Sequence, residues 1–283
     1  MAGRLPCPTS DSKQFMPGLE LSYQRLPHMK WYVMVDDDTY LIKPSMCALL
    51  GHLDPSSPMY VGNAIGDFKG RFAHGGSAII LSRPAMELLF ERNRPALEQA
   101  FVESLTETWG DKLVATTFMK IGVYLDERYS HFFNGERPLI TRILPDRFCS
   151  PLVSFHGLAN PAQMAETTGI FRDVDRPILW GELWGMYGQP SLRVFDTNPI
   201  RRNRDHVGPG EEAPDGFGSV EACVTACEAQ PECLAWTWDK PSSKCCTSRW
   251  FSVGDEPEAK FSGLNVARVR KLQDSCPRLA TPE

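Results

Sequence analysis

Five apolar residues in succession, Trp31, Tyr32, Val33, Met34 and Val35, stand out from the mixed opening of the chain. A run without alternation predicts a strand buried on both faces of a mainly parallel sheet. Ahead of it, Leu19, Leu21 and Leu26 fit one short helix before Pro27. Behind it, Pro44 and Ser45 open a helix whose Met46, Leu49, Leu50 and Leu53 recur at i, i+3, i+4 and i+7. The stretch Asp54-Pro55-Ser56-Ser57-Pro58 stops that helix, and residues 59–61 resume as a short strand. A second apolar run, 78–81, passes through Ser82 and Pro84 into a helix bearing Ala85, Met86, Leu88, Leu89 and Phe90. Further helices are expected over 96–108, after Gly110-Asp111, and over 178–187, with a strand at 123–125.

From residue 196 to 216 the composition turns to Pro, Gly, Asn, Arg and Glu, which predicts a linker. It separates a core over 1–195 from a tail over 217–283. In the tail Ser219 caps a helix with Cys223 and Cys227 on one face, and residues 235–238 read as a strand. Six of nine cysteines fall within residues 223–276. Such clustering predicts a small disulfide-rich α+β module made in an oxidising compartment, and Cys-x3-Cys-x5-Cys without a nearby histidine fits disulfides better than zinc. The fold class is thus an α/β core plus a stapled module.

Bulk composition narrows the picture only slightly. Lys plus Arg number 30 against 35 Asp plus Glu, a net −5, which gives no reason to expect nucleic acid or an anionic membrane as partner. The sequence holds no apolar stretch of about 18 residues, and its first residues lack the apolar core of a signal peptide. The cysteines point to the secretory pathway all the same, and a missing upstream segment would reconcile the two observations.

The chemistry concentrates where the first apolar run ends. Asp36, Asp37 and Asp38 follow it directly. Ligands in α/β proteins gather at the carboxyl ends of strands, and three adjacent carboxylates need a cation or partner to offset their repulsion. In an extended chain Asp36 and Asp38 point one way and Asp37 the other, so the outer pair would take a divalent metal. The alternative is an acidic loop that caps the next helix. Gly75 and Gly76 allow either close backbone approach to a ligand or a tight turn. His74 is equally open. Asp111 is placed as a helix N-cap or, held rigidly there, as a base. His156 ends the apolar run 152–155, as a core histidine or as a third metal ligand.

Taken in order, Trp31-Tyr-Val-Met-Val-Asp-Asp-Asp-Thr-Tyr40, Tyr60-Val-Gly62, Phe72-Ala-His-Gly-Gly-Ser77, Gly110-Asp111 and Val153-Ser-Phe-His156 resemble the fringe and core-1 β1,3-galactosyltransferase family of inverting glycosyltransferases, over roughly residues 25–165. The resemblance implies a Rossmann-like nucleotide-sugar transferase core, its opening units absent. It also implies Mn²⁺ at Asp36, Asp38 and His156, a UDP-sugar donor met by Asp36, Asp37, Gly75 and Gly76, and Asp111 as general base. A glycan or glycoprotein acceptor such as N-acetylgalactosamine, transfer of galactose in β1,3 linkage and a Golgi location belong to the same expectation. Residues 217–276 resemble a PAN/apple-like domain, a unit that binds protein or carbohydrate, with Cys227 expected to pair with Cys233. A chain whose transferase part is vestigial and whose function lies in that module is the rival reading.

Overall fold

The computed structural model describes residues 12–67, 70–208 and 218–276. In chain order the regular elements begin with α1 (Ser12–Arg25), β1 (Trp31–Met34), β2 (Tyr40–Leu41) and α2 (Lys43–His52). The glycine-rich stretch supplies β3 (Tyr60–Gly62), β4 (Ala64–Asp67), β5 (Gly70–Ala73) and β6 (Ile79–Ser82). Then come α3 (Arg83–Phe90), α4 (Arg94–Glu103), α5 (Gly110–Lys120), β7 (Ser154–Phe155) and α6 (Pro161–Phe171). The remainder is α7 (Leu183–Met186), α8 (Val194–Thr197), β8 (Arg201–Arg202), α9 (Val220–Ala229), β9 (Ala235–Asp239), β10 (Lys244–Ser248), β11 (Lys260–Leu264) and α10 (Val266–Ser275). The described residues form two compact units, one of those within 12–41, 47–135 and 154–159, the other of those within 42–46, 136–153 and 160–276.

The first unit is built on a three-stranded sheet in the order β1-β6-β3, both pairings antiparallel. Helices α1, α3, α4 and α5 pack their apolar faces on it, and Met16, Leu19, Ile79, Leu81, Met86, Leu89, Leu97, Leu113 and Phe118 share one core. Ser82 caps α3 as its sequence predicts, its hydroxyl accepting the Ala85 N–H. The expectation of a mainly parallel sheet fails: every strand ladder among the described residues is antiparallel. β1 is also an edge strand rather than a doubly buried one. Tyr32 is buried, while Val33 and Val35 are 38% and 39% exposed. Burial alternates along this strand although hydrophobicity does not, so the unbroken apolar run concealed its one-sided packing.

The second unit carries a four-stranded antiparallel sheet, β10-β9-β11-β8, with α9 beside it. Disulfides Cys223–Cys245 and Cys227–Cys233 tie α9 to the sheet and to the following turn, so the expected Cys227–Cys233 pair is present. Cys276 bonds instead to Cys149, outside the cysteine cluster. Residues 196–208, expected to begin a linker, are folded into this unit. β8 pairs with β11, and Asp205, His206 and Val207 are buried. Polar composition misled here because Asp205 satisfies its charge internally, accepting from Lys260 Nζ at 2.7 Å and Thr237 Oγ1 at 2.9 Å. The helix expected over 178–187 is a 3-10 turn, Trp180–Glu182, running into α7. Among the described residues no helix is long and apolar enough to cross a membrane.

His206 gives the second unit a definite acid sensitivity. Its ring packs against Trp184 at 5.0 Å, Nδ1 lies 3.2 Å from the Ser252 carbonyl oxygen, and Nε2 is buried with no hydrogen-bond partner. Burial pushes its pKa down to about 4. An unfolded histidine titrates near 6.5, at about that value. Between these pH values the unfolded chain binds a proton that the folded chain refuses, so stability falls as pH drops from about 6.5 to about 4 and levels off below. The expected loss is on the order of 3 kcal/mol. Unfolding in urea followed across that window should show the slope, and His206→Phe should flatten it; an unaltered slope in the variant would assign the effect to other groups.

Candidate functional site

β1 ends at Met34, and the acids do not continue it in extended form. The Thr39 N–H donates to the Asp36 carbonyl at 3.2 Å, closing a turn over Asp37 and Asp38. Two further bonds lock the turn. Thr39 Oγ1 donates to the Gly76 carbonyl at 2.9 Å, and the Leu158 N–H donates to the Asp38 carbonyl at 3.0 Å. The pairing of β2 with β7, Tyr40 opposite Phe155, then brings His156 beside the acids. His156 Nε2 lies 3.2 Å from Asp38 Oδ1 and 3.8 Å from Asp36 Oδ2. One ligand atom from each of Asp36, Asp38 and His156 lies within 4.8 Å of the others. Asp37 is exposed and stands apart from this group, although it lines the same cleft.

Whether these residues fit a metal can be judged from Asp38. Its Oδ1 is buried and takes no hydrogen bond, with His156 Nε2 nearby but outside hydrogen-bond geometry. A buried carboxylate oxygen left without a donor costs on the order of 1–3 kcal/mol or more unless a cation meets it. Two carboxylates and one imidazole form a donor set suited to a first-row divalent ion, Mn²⁺ included. The residues therefore fit such an ion.

The paired glycines fall between the acids and the helix that carries Asp111. They form a 3-10 turn, Gly75–Ser77, with all three residues buried. A Cβ at Gly76 would lie 2.2 Å from His156 Cδ2 and 2.3 Å from Nε2. One at Gly75 would lie 3.1 Å from the Phe15 ring and 3.5 Å from Asp36 Oδ1. The Gly75 N–H donates to Asp111 Oδ2 at 3.0 Å, while Asp111 Oδ1 accepts the Lys112 N–H at 2.8 Å. Asp111 sits in the first turn of α5, whose N-cap is Trp109, so it is not the N-cap residue; one of its oxygens takes a first-turn helix N–H and the other binds the glycine loop. Gly75 thus touches the acidic turn on one side and Asp111 on the other.

His74 belongs to the same cluster, a placement its sequence neighbours left open. Its ring meets His156 edge-on at 4.9 Å, and Nδ1 lies 2.8 Å from Ser77 Oγ. Burial lowers its pKa, and His156 pushes the same way against the pull of Asp111 and Asp38. Ala78 follows the turn with φ +88°, a conformation that costs an L-residue on the order of 1–3 kcal/mol. Phe15, which packs on Gly75, carries no sequence signal for a role here. A cleft of about 870 Å³ runs along α1 and β1 from Gln14 and Phe15 past Trp31 to Asp36, Asp37, Asp38 and His156.

Comparison with known proteins gives the family. The Fringe-like family matches residues 7–178, more than half of the chain, and the chain belongs to that family. It is also similar to the chondroitin sulfate glucuronyltransferase of Homo sapiens, 38% identical over 73 residues. That stretch covers 24% of this chain and 9% of the relative.

The close fit of Gly76 against His156 makes a direct prediction. Gly76→Ala should push the imidazole out of the cluster, and if His156 helps to hold a divalent ion the affinity for that ion should fall by about tenfold or more. Calorimetric titration with Mn²⁺ measures it, and wild-type affinity in the variant would remove His156 from the ligand set.

Proposed function

We propose that the Fringe-like core is the catalytic part of a Mn²⁺-dependent inverting glycosyltransferase, with a nucleotide-sugar transferase arrangement of its helices and strands. It moves a hexose from a UDP-sugar to a glycan acceptor. By resemblance the hexose is galactose, passed in β1,3 linkage to a residue such as N-acetylgalactosamine on a glycoprotein. The observation that carries this reading is the placing of one backbone turn, Gly75–Ser77, between the cluster of Asp36, Asp38 and His156 and the carboxylate of Asp111.

Asp36, Asp38 and His156 would hold the divalent ion, which when bound offsets charge on a departing diphosphate. Asp37, exposed at the rim, and the backbone of Gly75 and Gly76 would meet the donor. Asp111 keeps one oxygen on the Gly75 N–H and the other on the Lys112 N–H. Each oxygen retains a lone pair, so the carboxylate is oriented and still able to accept a proton. It would take the proton of the acceptor hydroxyl as that oxygen attacks the anomeric carbon from the face opposite the leaving group, inverting its configuration. The glucuronyl group in the human relative's name differs from galactose, so the donor hexose is the part to screen first. The three disulfides among the described residues accord with work in an oxidising lumen, for which the Golgi is proposed. The disulfide-bonded tail, in this reading, is a PAN/apple-like module that binds protein or carbohydrate.

Two measurements test the reading. UDP should bind the purified chain more tightly with Mn²⁺ than without, and Asp38→Ala should abolish the difference; metal-independent UDP binding would remove the cluster from the donor site. Asp111→Asn should leave donor binding within a few fold while slowing turnover by about 10² to 10⁴. Full turnover in that variant would sink the base assignment.

A further inference from the structure

Asp111 lies in the first turn of a helix whose N-cap residue is unusual. Trp109, the N-cap of α5, is 57% exposed, a poor placement for the largest apolar side chain unless something covers it. It is not a loosely hung ring. Glu107 Oε1 accepts the N–H groups of both Thr108 (2.9 Å) and Trp109 (3.3 Å), and Glu107 Oε2 takes Lys112 Nζ at 3.0 Å. The turn is therefore fixed by a carboxylate at the point where the indole leaves the backbone. Buried Phe72 supports the ring from the core, centroid to centroid 6.0 Å. Phe72 lies three residues before Gly75, whose N–H holds Asp111.

We infer that the exposed indole of Trp109 is the stacking platform of the acceptor subsite, taking the C–H face of a hexopyranose whose hydroxyl is presented to Asp111. This rests on the assignment of Asp111 as base. A pyranose ring has an apolar face of axial C–H groups, and an indole offers a broad face of negative quadrupole to meet them. A base needs its proton donor within hydrogen-bond reach, so the acceptor ring must sit beside Asp111, two residues along the same turn from Trp109. The platform recognises ring shape rather than the pattern of hydroxyls. It predicts that affinity for the acceptor resides in stacking, with the linkage chosen by which hydroxyl reaches Asp111.

Saturation-transfer NMR on the full chain tests this without donor or metal, so its outcome is separate from that of the metal–donor reading. The probes are methyl α-N-acetylgalactosaminide, methyl β-galactoside and methyl β-glucoside. At least one should bind, with strongest transfer to its axial ring protons. Trp109→Ala should weaken it tenfold or more, and Trp109→Phe should stay within about threefold of wild type. UDP binding in the presence of Mn²⁺ should be the same in all three proteins, a result that a general loss of structure in Trp109→Ala would not give. Equal glycoside affinity in wild type and Trp109→Ala overturns the inference, as does failure of Trp109→Phe to restore binding or absence of transfer to all three probes.

Discussion

The site depends on the backbone of Gly76 approaching the His156 side chain more closely than any residue with a Cβ would permit. His156 occupies the volume that a side chain at Gly76 would fill, and Asp36 and Phe15 close over Gly75 from the other direction. One peptide turn thereby serves as the wall between an acidic cluster and a helix N-terminus. Several hydrogen bonds around it use main chain: Thr39 Oγ1 to the Gly76 carbonyl, Gly75 N–H to Asp111, Ser154 Oγ to the Ser77 carbonyl at 2.7 Å. Main-chain groups cannot rotate away as side chains do, so the Asp111 carboxylate, held on two backbone N–H groups, is fixed by the fold.

That rigidity carries a cost that the structure concentrates in a few places. Ala78 adopts a left-handed backbone directly after the turn, and Asp38 Oδ1 is buried without a donor. Both are tolerated because the surroundings are over-determined. Ala78 and the strand that follows it are fully buried, and β6 lies between β1 and β3. Local strain held in place by a packed core is a frequent mark of sites whose geometry matters more than their stability.

Much of the first unit was legible in the sequence. The Gly110-Asp111 pair marked the start of α5, Ser82 marked the cap of α3, and the short run 78–81 marked β6. What pattern alone could not supply was partnership. Trp31 to Val35 gave no hint that Val33 and Val35 face outward, because an apolar residue on an exposed face looks like one in a core. The ordered motifs pointed to Asp36, Asp38, Asp111 and His156, and the structure brings Asp36, Asp38 and His156 into one cluster with Asp111 one glycine away. His74 and Phe15 were not readable, since their roles arise from a β2–β7 pairing and a helix packing that join residues far apart in the chain. The same holds for residues 196–208, where polar composition suggested a linker and the pairing of buried Asp205 with half-buried Lys260 supplied the answer.

The bond between Cys149 and Cys276 spans 127 residues. Closing so long a loop in the unfolded chain removes entropy worth about 4 to 5 kcal/mol in the simplest treatment. It also sets an order of events during synthesis. Cys149 leaves the ribosome long before its partner exists, while Cys227 and Cys233, six residues apart, can pair as soon as they emerge. For that interval Cys149 is an unpaired thiol among cysteines closer to each other than to their proper mates. Pairing of Cys149 must therefore wait for residue 276, and the bond then forms either by oxidation of the two thiols or by exchange with another disulfide.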